Sequence, residues 1–180
     1  MRKIVANFFI SLDGVVERPD RWHFPYFNEE MGEVVGGGMA TSDVMLLGRT
    51  TYEEFAGYWP SQSNDVPGAE HMNGVRKVVV STTLGRADWH NSTIVRDVQE
   101  LRALKEQPGK EIGTVGSATL VRSLIRAGLL DELRLLVHPI VVGKGAKLFE
   151  EGMGQVPLKL VASRTFSTGV LYLTYAPAAA

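Results

Sequence analysis

The sequence contains no cysteine, so disulfide bonds, thiolate metal sites and cysteine nucleophiles are all excluded. Histidine is also scarce. The four histidines form no His-x-x-x-His pair and show no other spacing typical of metal ligands: His23, His71, His90 and His138. We therefore expect no metal site.

Excess charge of either sign is lacking as well. Nineteen lysines and arginines oppose twenty aspartates and glutamates, which gives a formal net charge of −1. This balance disfavours nucleic acid and anionic membrane surfaces as partners. No apolar run has the length of a membrane span, and the chain enters an apolar segment at Ile4 without the arrangement of a signal peptide. We expect a soluble, cytoplasmic protein.

The sequence does contain a regular alternation of apolar runs and amphipathic segments. At 180 residues it is too short for two ordinary domains, so we expect a single domain over residues 1–180. Strands are predicted over 4–12, 44–47, 77–81, 94–95, 111–115, 133–138, 140–142, 158–164 and 170–175. Helices are predicted over 28–39, 51–57, 97–107 and 116–128, with a long loop over 58–74 and a frayed tail over 176–180.

The early strands are separated by helices, whereas the last ones follow one another directly. This order predicts an α/β fold with three layers, α/β/α, in which a mostly parallel central sheet carries antiparallel C-terminal strands. Ser167-Thr168-Gly169 is a suitable hairpin turn between the last two strands. The triplet Gly36-Gly37-Gly38 is poor helix-forming sequence, so we expect weak order in the second half of the first helix.

One strand ends in a turn that is suited to an anion. The apolar run that begins at Val44 stops at Gly48, and Arg49, Thr50 and Thr51 then lead into a helix. A helix N-terminus presents unpaired N–H groups to an anion, and arginine adds a planar cation that suits a phosphate. The segment therefore predicts a phosphorylated ligand, for which a nucleotide cofactor is the natural candidate.

The alternative is a turn with a good helix cap and no ligand. Thr50 with Glu53, or Thr51 with Glu54, matches the capping-box pattern. Two further strand ends bear on this choice, because the turns after them are also polar or glycine-rich. They contain Ser81, Thr82 and Thr83 in one case, and Val115, Gly116, Ser117, Ala118 and Thr119 in the other. Three such turns, meeting at one edge of a parallel sheet, favour ligand binding.

These motifs, taken in order, resemble a known family. They are Ser11-Leu12-Asp13-Gly14, Leu47-Gly48-Arg49-Thr50-Thr51-Tyr52-Glu53, Val80-Ser81, Val115-Gly116-Ser117-Ala118-Thr119-Leu120, His138-Pro139-Ile140-Val141-Val142-Gly143-Lys144-Gly145 and Leu148-Phe149. The chain resembles the dihydrofolate reductase-like superfamily. It is most similar to the reductase domain of the bifunctional riboflavin-biosynthesis deaminase/reductase and the stand-alone proteins related to that domain.

The resemblance implies a dihydrofolate reductase-like fold and an NADPH cofactor that delivers a hydride to a heterocyclic or sugar-derived acceptor. Arg49 with Ser81 or Thr82 would bind the 2′-phosphate side, and Thr51 with the 116–119 turn would hold the pyrophosphate. The first strand and Asp13 would lie along the nicotinamide. The implied cofactor set is Gly48, Arg49, Thr50, Thr51, Ser81, Thr82, Val115, Gly116, Ser117, Ala118 and Thr119.

The chain departs from the family at two positions. Dihydrofolate reductases carry a Gly-Gly pair where this chain has Gly116-Ser117. Riboflavin reductases have an acidic substrate contact where this chain has Thr114, so Thr114 is the implied substrate contact at that position. Their arginines for the ribose phosphate have no counterpart at matching positions. The resemblance therefore implies that this chain binds the family's cofactor, but it does not imply that the riboflavin precursor is the substrate.

Hydride transfer depends on positioning and often on a proton source. Glu30 and Asp13 are the candidate acids, although a helical carboxylate is more often solvated and an aspartate in a turn often forms local hydrogen bonds. Trp22 and Phe27, from an aromatic stretch, are candidate walls for a flat ring, or they simply cover the core.

The sequence thus predicts an NADPH-dependent oxidoreductase that reduces a small heterocyclic or sugar-linked substrate resembling a pterin or pyrimidine. Two alternatives remain open: a true dihydrofolate reductase, and a non-catalytic nucleotide-binding protein of the same fold. The family resemblance also implies a homodimer.

Overall fold

The computed structural model describes residues 1–178 and, within this range, contains eight strands and five α-helices. The strands are β1 (Ile4–Ser11), β2 (Ser42–Gly48), β3 (Arg76–Val80), β4 (Ser92–Val95), β5 (Glu111–Thr114), β6 (Glu132–His138), β7 (Leu158–Thr165) and β8 (Leu171–Pro177). The helices are α1 (Glu29–Thr41), α2 (Arg49–Tyr58), α3 (Ala69–Gly74), α4 (Leu101–Glu106) and α5 (Ala118–Arg126).

All of these strands form one sheet in the order β4-β3-β2-β5-β1-β6-β8-β7. The first six strands run parallel, and β8 and β7 complete one edge as an antiparallel pair. The early strands read as continuous apolar runs because both faces of a parallel sheet are covered. The predicted α/β architecture with an antiparallel C-terminal edge is confirmed.

One face of the sheet is covered by a single continuous core. Alternate residues of β1, such as Ile4, Ala6 and Phe8, pack there with Leu104 of α4 and Leu124 of α5. We call this the closed face. Its cluster extends without a break from Val78 on β3 to Leu135 on β6.

The opposite face, which we call the open face, carries two separate clusters. One lies over β2 and β3, where Leu47 and Val79 pack with Tyr52 of α2 and Met72 of α3. The other lies over the opposite end of the sheet, where Leu136 packs with Met31 of α1 and with Phe166. The middle of this face is therefore left without a filled core.

Several local expectations need correction. Residues 140–142 form no strand; the backbone of this segment instead folds over the end of β1, where the Leu12 N–H donates to the Ile140 carbonyl at 2.8 Å. The expected loop over 58–74 contains α3, because Ala69 and Met72 bury one side of a short helix.

The first helix and the tail are also more regular than predicted. Gly36, Gly37 and Gly38 lie inside α1, which begins with an Asn28 side chain that accepts a hydrogen bond from the Met31 N–H. β8 continues to Pro177, so the predicted fraying is wrong at residues 176 and 177, and its last part, residues 179 and 180, lies outside the described residues. Among residues 1–178, the helices are all too short or too polar to cross a membrane.

Candidate active site

A large cavity lies at the carboxyl ends of the parallel strands and has a volume of about 920 Å³. We call it the edge cavity. All eleven residues of the predicted cofactor set line it: Gly48, Arg49, Thr50, Thr51, Ser81, Thr82, Val115, Gly116, Ser117, Ala118 and Thr119. The three turns meet because β3, β2 and β5 are neighbours in the sheet. A parallel sheet forms its binding crevice at this edge.

Two of these turns interlock through a single hydroxyl group. Ser117 Oγ accepts a hydrogen bond from the Gly48 N–H at 2.8 Å and donates one to Thr51 Oγ1 at 2.9 Å. The close contact between the Ser117 side chain and the backbone at position 48 requires glycine there, because a Cβ would lie 2.4 Å from Ser117 Oγ. Ser117 itself takes the left-handed conformation, with φ of 60°, although it is not a glycine. The bridging hydroxyl group compensates for this strained backbone.

The N-termini of α2 and α5 both open into the edge cavity. Gly48 and Ser117 are the N-cap residues, and neither helix has a side-chain cap. The capping boxes that the sequence offered at Thr50 and Thr51 are therefore not formed. Uncapped N–H groups and the partial positive charge of each helix end suit an anion such as a phosphate.

Arginines surround the outer corner of the edge cavity. Arg49 donates to Thr83 Oγ1 at 3.1 Å, and Arg96 donates to the carbonyls of Ser81 and Leu84 at 2.8 and 2.7 Å. The Ser81 hydroxyl accepts from the backbone N–H groups of Thr83 and Leu84, so it is used to shape this turn. The corner thus presents two permanent cations next to a turn that is rich in hydroxyl groups.

A second, smaller cavity of about 300 Å³ lies between the two clusters of the open face. We call it the face cavity. Its walls are mostly apolar and come from β1, β2, β5, β6, α1 and the segment around α3. The polar lining residues are Asn7, Ser42, His71, Arg134 and Tyr172. Most ligand pockets share this character, an apolar wall with a few polar groups.

The two cavities share a wall. Phe8, Pro19, Phe55 and Val115 line both of them. The contact arises where β5 ends at Thr114 while β1 continues to Ser11, so that β1 and β5 pair over three residues only. A ligand in the edge cavity can therefore meet a ligand in the face cavity at the end of β5.

The two predicted acids lie outside both cavities and are ionised. Asp13 accepts hydrogen bonds from the Ser11 hydroxyl and from the N–H groups of Val142 and Gly143, which lower its pKa to about 2. The backbone N–H and the hydroxyl group of Ser167 likewise lower the pKa of Glu30. Asp13 ties the 139–146 segment to β1, and Glu30 ties α1 to the turn before β8. Neither arrangement is that of a proton donor.

The three predicted substrate contacts also lie away from the two cavity linings. Trp22 is buried, donates to the Glu17 carbonyl at 3.2 Å and packs edge-on against His138. Phe27 is half exposed, and Thr114 is fully buried with its hydroxyl group donating to the Gly116 carbonyl. Their contact with a substrate therefore stays a prediction that the two cavities do not support.

Sequence reasoning missed several lining residues. Arg96 directly follows β4 as Arg49 directly follows β2, so the same strand-end pattern would have found it. Asn7 is a lone polar side chain within an otherwise apolar strand, which is a signal in its own right. Arg134 and His71 carry no comparable signal, since only the packing of β6 and α3 brings them to the face cavity.

The fold and much of the sequence have counterparts among known proteins. The uncharacterised protein YyaP of Bacillus subtilis is 31% identical over 97% of this chain and 94% of its own length. A putative riboflavin biosynthesis protein from Shewanella sp. PV-4 matches with a TM-score of 0.75 and 18% identity, over 98% of this chain and 99% of that one. Dihydrofolate reductase from Enterococcus faecalis, solved with NADP(H) and RAB-propyl, has a TM-score of 0.64 and 18% identity, over 97% of this chain and 96% of that one.

These structural matches confirm the dihydrofolate reductase-like fold that the motifs implied. A family profile adds a match that covers nearly the whole sequence. The profile describes the RibD C-terminal domain, and it matches residues 2–172. The chain therefore belongs to the RibD C-terminal domain family.

Proposed function

We propose that this protein is an NADPH-dependent reductase, with the cofactor in the edge cavity and a small planar substrate in the face cavity. The observation that carries the proposal is the shared wall at Phe8, Pro19, Phe55 and Val115. Hydride transfer requires donor and acceptor in direct contact, and two adjoining cavities provide that geometry. Membership of the RibD C-terminal domain family supports a reductase-like activity.

The residues of the edge cavity fit a dinucleotide phosphate. The N-terminus of α5 and the Gly116-Ser117 turn would hold the pyrophosphate, because their N–H groups are uncapped and glycine permits close approach. Arg49 and Arg96, beside the hydroxyl groups of the 81–83 turn, would hold the 2′-phosphate. A volume of about 920 Å³ is within the size range of cofactor pockets.

The protein's own residues position the cofactor and the substrate. When bound, NADPH supplies a hydride, and the reduced acceptor takes the balancing proton from solvent water. Asp13 and Glu30 are ionised through fixed hydrogen bonds, so they hold loops in place without donating a proton. Phe8, Phe55 and Val115 would lie beside the contact between the two ligands and give it an apolar surrounding.

Cofactor titration tests this proposal directly. Arg49→Ala should weaken NADPH binding about tenfold or more and leave NADH binding nearly unchanged, because only NADPH carries the 2′-phosphate. Fluorescence quenching of Trp22, Trp59 and Trp89 reports binding of both cofactors. Arg86→Ala is the matched control, since Arg86 is exposed and pairs with Asp88 outside the cavity lining.

Equal weakening of both cofactors by Arg49→Ala would reject the 2′-phosphate role. Failure of the wild-type protein to bind either cofactor would reject the reductase. Tight NADPH binding without turnover across a panel of pterins, pyrimidines and quinones would instead favour a non-catalytic nucleotide-binding protein.

We also propose that the protein is a homodimer, joined through its antiparallel edge. β7 is the terminal strand of the sheet, and Leu160, Val161 and Leu171 expose 49%, 56% and 39% of their surface there. Exposed apolar side chains on an unpaired edge are suited to a second copy of the chain. Light scattering at micromolar protein concentration should give the mass of a dimer. Val161→Lys should reduce this mass to that of a monomer. A monomeric wild-type protein would contradict the proposal.

A further inference from the structure

The face cavity has no cation available for an anionic substrate. Among the described residues that line it, Arg134 is the only lysine or arginine. Its guanidinium group donates two hydrogen bonds to Glu111 at 2.9 and 3.0 Å and two to Glu132 at 2.6 and 3.0 Å. Four of the five N–H donors of the arginine are thus committed to carboxylates. A phosphate or carboxylate entering the cavity would meet a charge that is already neutralised.

The histidine of the cavity is neutral as well. Burial, followed by the nearby Lys77 ammonium group, lowers the pKa of His71, so the imidazole carries no charge at neutral pH. The remaining wall is apolar and includes Met39, Met45 and Leu136. Moving an anion from water into such a space without a partner is strongly unfavourable.

Asn7 supplies one of the polar contacts that this cavity can offer. It lies in the middle of β1, beside Arg134 in the parallel register, and it is half buried. Within residues 1–178 its side-chain amide makes no hydrogen bond, although it lines the cavity. The amide NH₂ can donate a hydrogen bond to a ring carbonyl, and the amide oxygen can accept one from an N–H group next to that carbonyl. A half-buried amide that has no partner within the protein can exchange its water for the polar group of a ligand.

Resting on the proposed reductase function, we propose that the part of the substrate inside the face cavity is an uncharged planar ring with a carbonyl group, free of phosphate and carboxylate. Asn7 selects this class by hydrogen bonding to the ring carbonyl. The cavity volume of about 300 Å³ accommodates two to three fused rings. The shared wall at Phe8 and Val115 places such a ring against the edge cavity.

Three probes with one ring skeleton test the inference by calorimetry. Menadione is a neutral naphthoquinone, 1,4-naphthoquinone-2-sulfonate carries a fixed negative charge, and 2-methylnaphthalene lacks the carbonyl groups. Because the chain has no cysteine, the quinones cannot arylate a thiol. We expect menadione to bind at least about tenfold more tightly than the sulfonate, since the cavity offers the anion no partner.

The Asn7→Leu variant separates the polar contact from shape. It should weaken the binding of menadione about five- to tenfold and leave the binding of 2-methylnaphthalene unchanged, because only menadione has a carbonyl group that Asn7 can hydrogen-bond. Asn64→Leu is the control, an exposed asparagine outside both cavity linings. Thermal melting of each variant confirms that it is folded.

The outcomes distinguish this inference from the proposed function. Equal or tighter binding of the sulfonate, or no effect of Asn7→Leu on menadione, overturns the inference, and tight NADPH binding in the same samples would leave the reductase proposal intact. Selective menadione binding without any NADPH binding supports the assigned ligand class and overturns the reductase. If neither NADPH nor any naphthalene binds, both proposals fail.

Discussion

On the closed face, Ile4, Ala6 and Leu124 belong to one unbroken core, whereas on the open face the clusters around Leu47 and Leu136 are separated by a cavity of about 300 Å³. Both faces are built from the same strands, and successive residues of each strand contribute to opposite faces. The contrast therefore comes from particular positions and from the helices that cover them.

β5 shows how the difference arises. Ile112 points to the closed face and is fully buried, while its neighbour Gly113 faces the open side, where an added Cβ would lie 2.8 Å from Ser42 Oγ, so only glycine fits beside this polar side chain. Next to it, β1 places the polar Asn7 where an apolar residue would close the gap. We infer that the closed face supplies most of the packing free energy, and that the open face gives up packing in order to hold a ligand.

The largest expected effect comes from truncating neighbouring leucines of β6 on opposite faces. Leu135→Ala removes a side chain from the continuous core and should lower the free energy of unfolding by about 3 to 5 kcal/mol. Leu136→Ala should cost less, about 2 kcal/mol, because Leu136 already borders a cavity and loses fewer packing contacts. Urea unfolding measures both values, and equal costs would contradict the comparison of the faces.

A buried charge on the open face gives the next largest effect. Lys77 is fully buried, and its ammonium group donates to the carbonyls of Asn73, Val75 and His90. Burial lowers its pKa from 10.5 to about 8. Between these two pH values the unfolded chain binds a proton that the folded chain does not. The free energy of unfolding should therefore rise with pH across this window, by about 2 to 3 kcal/mol.

Lys77→Met should abolish this rise, because methionine has no proton to bind. The exposed Lys159→Met is the matched control and should keep the rise. Chemical unfolding between pH 7.5 and 10.5 measures the effect as a difference from wild type. A variant and a wild type with parallel pH profiles would show that Lys77 is not desolvated as the structure indicates.

A smaller effect on the free energy of unfolding is expected from adding a side chain at Gly48. Gly48→Ala should destabilise the protein by about 1 to 3 kcal/mol, because the added Cβ would lie 2.4 Å from Ser117 Oγ and 2.9 Å from its Cβ. In a Ser117→Gly background both obstructing atoms are gone and the nearest remaining neighbour is 3.8 Å away, so the same change should cost less. A double-mutant cycle should thus give a coupling of about 1 kcal/mol, and additivity would contradict the interlock.

Gly37→Ala is the control for that cycle. It lies in α1, which covers the open face, and an added Cβ would meet nothing within 4 Å. We therefore expect it to stabilise the protein slightly, by about 0.5 to 1 kcal/mol, since alanine favours the helix.

How well the sequence predicted a feature depends on whether local residues encode that feature. Strand ends such as Gly48 and Gly116 were predictable because apolar runs and turn residues are local features, and the structure brings all three turns to one cavity. Whether those turns bind NADPH stays a prediction. The 140–142 segment was wrongly assigned to a strand because its β-branched run carries a local signal, while Pro139 and the hydrogen bonds to Asp13 hold it over the end of β1. The hydrogen bonds of Asp13 to the 142–143 backbone and of Glu30 to Ser167 could not be predicted from the sequence, because these partners are far away along the chain.

The sequence by itself determined the order of the elements along the chain, the mostly parallel sheet with its antiparallel C-terminal strands and the residues of the three strand-end turns, because hydrophobic period and turn chemistry are encoded locally. Only the tertiary structure decided that Asn7 faces a cavity, that Arg134 is neutralised by Glu111 and Glu132, and that the two cavities share a wall. These features depend on which strands lie side by side and on how the helices pack on the sheet, and neither is set by local sequence.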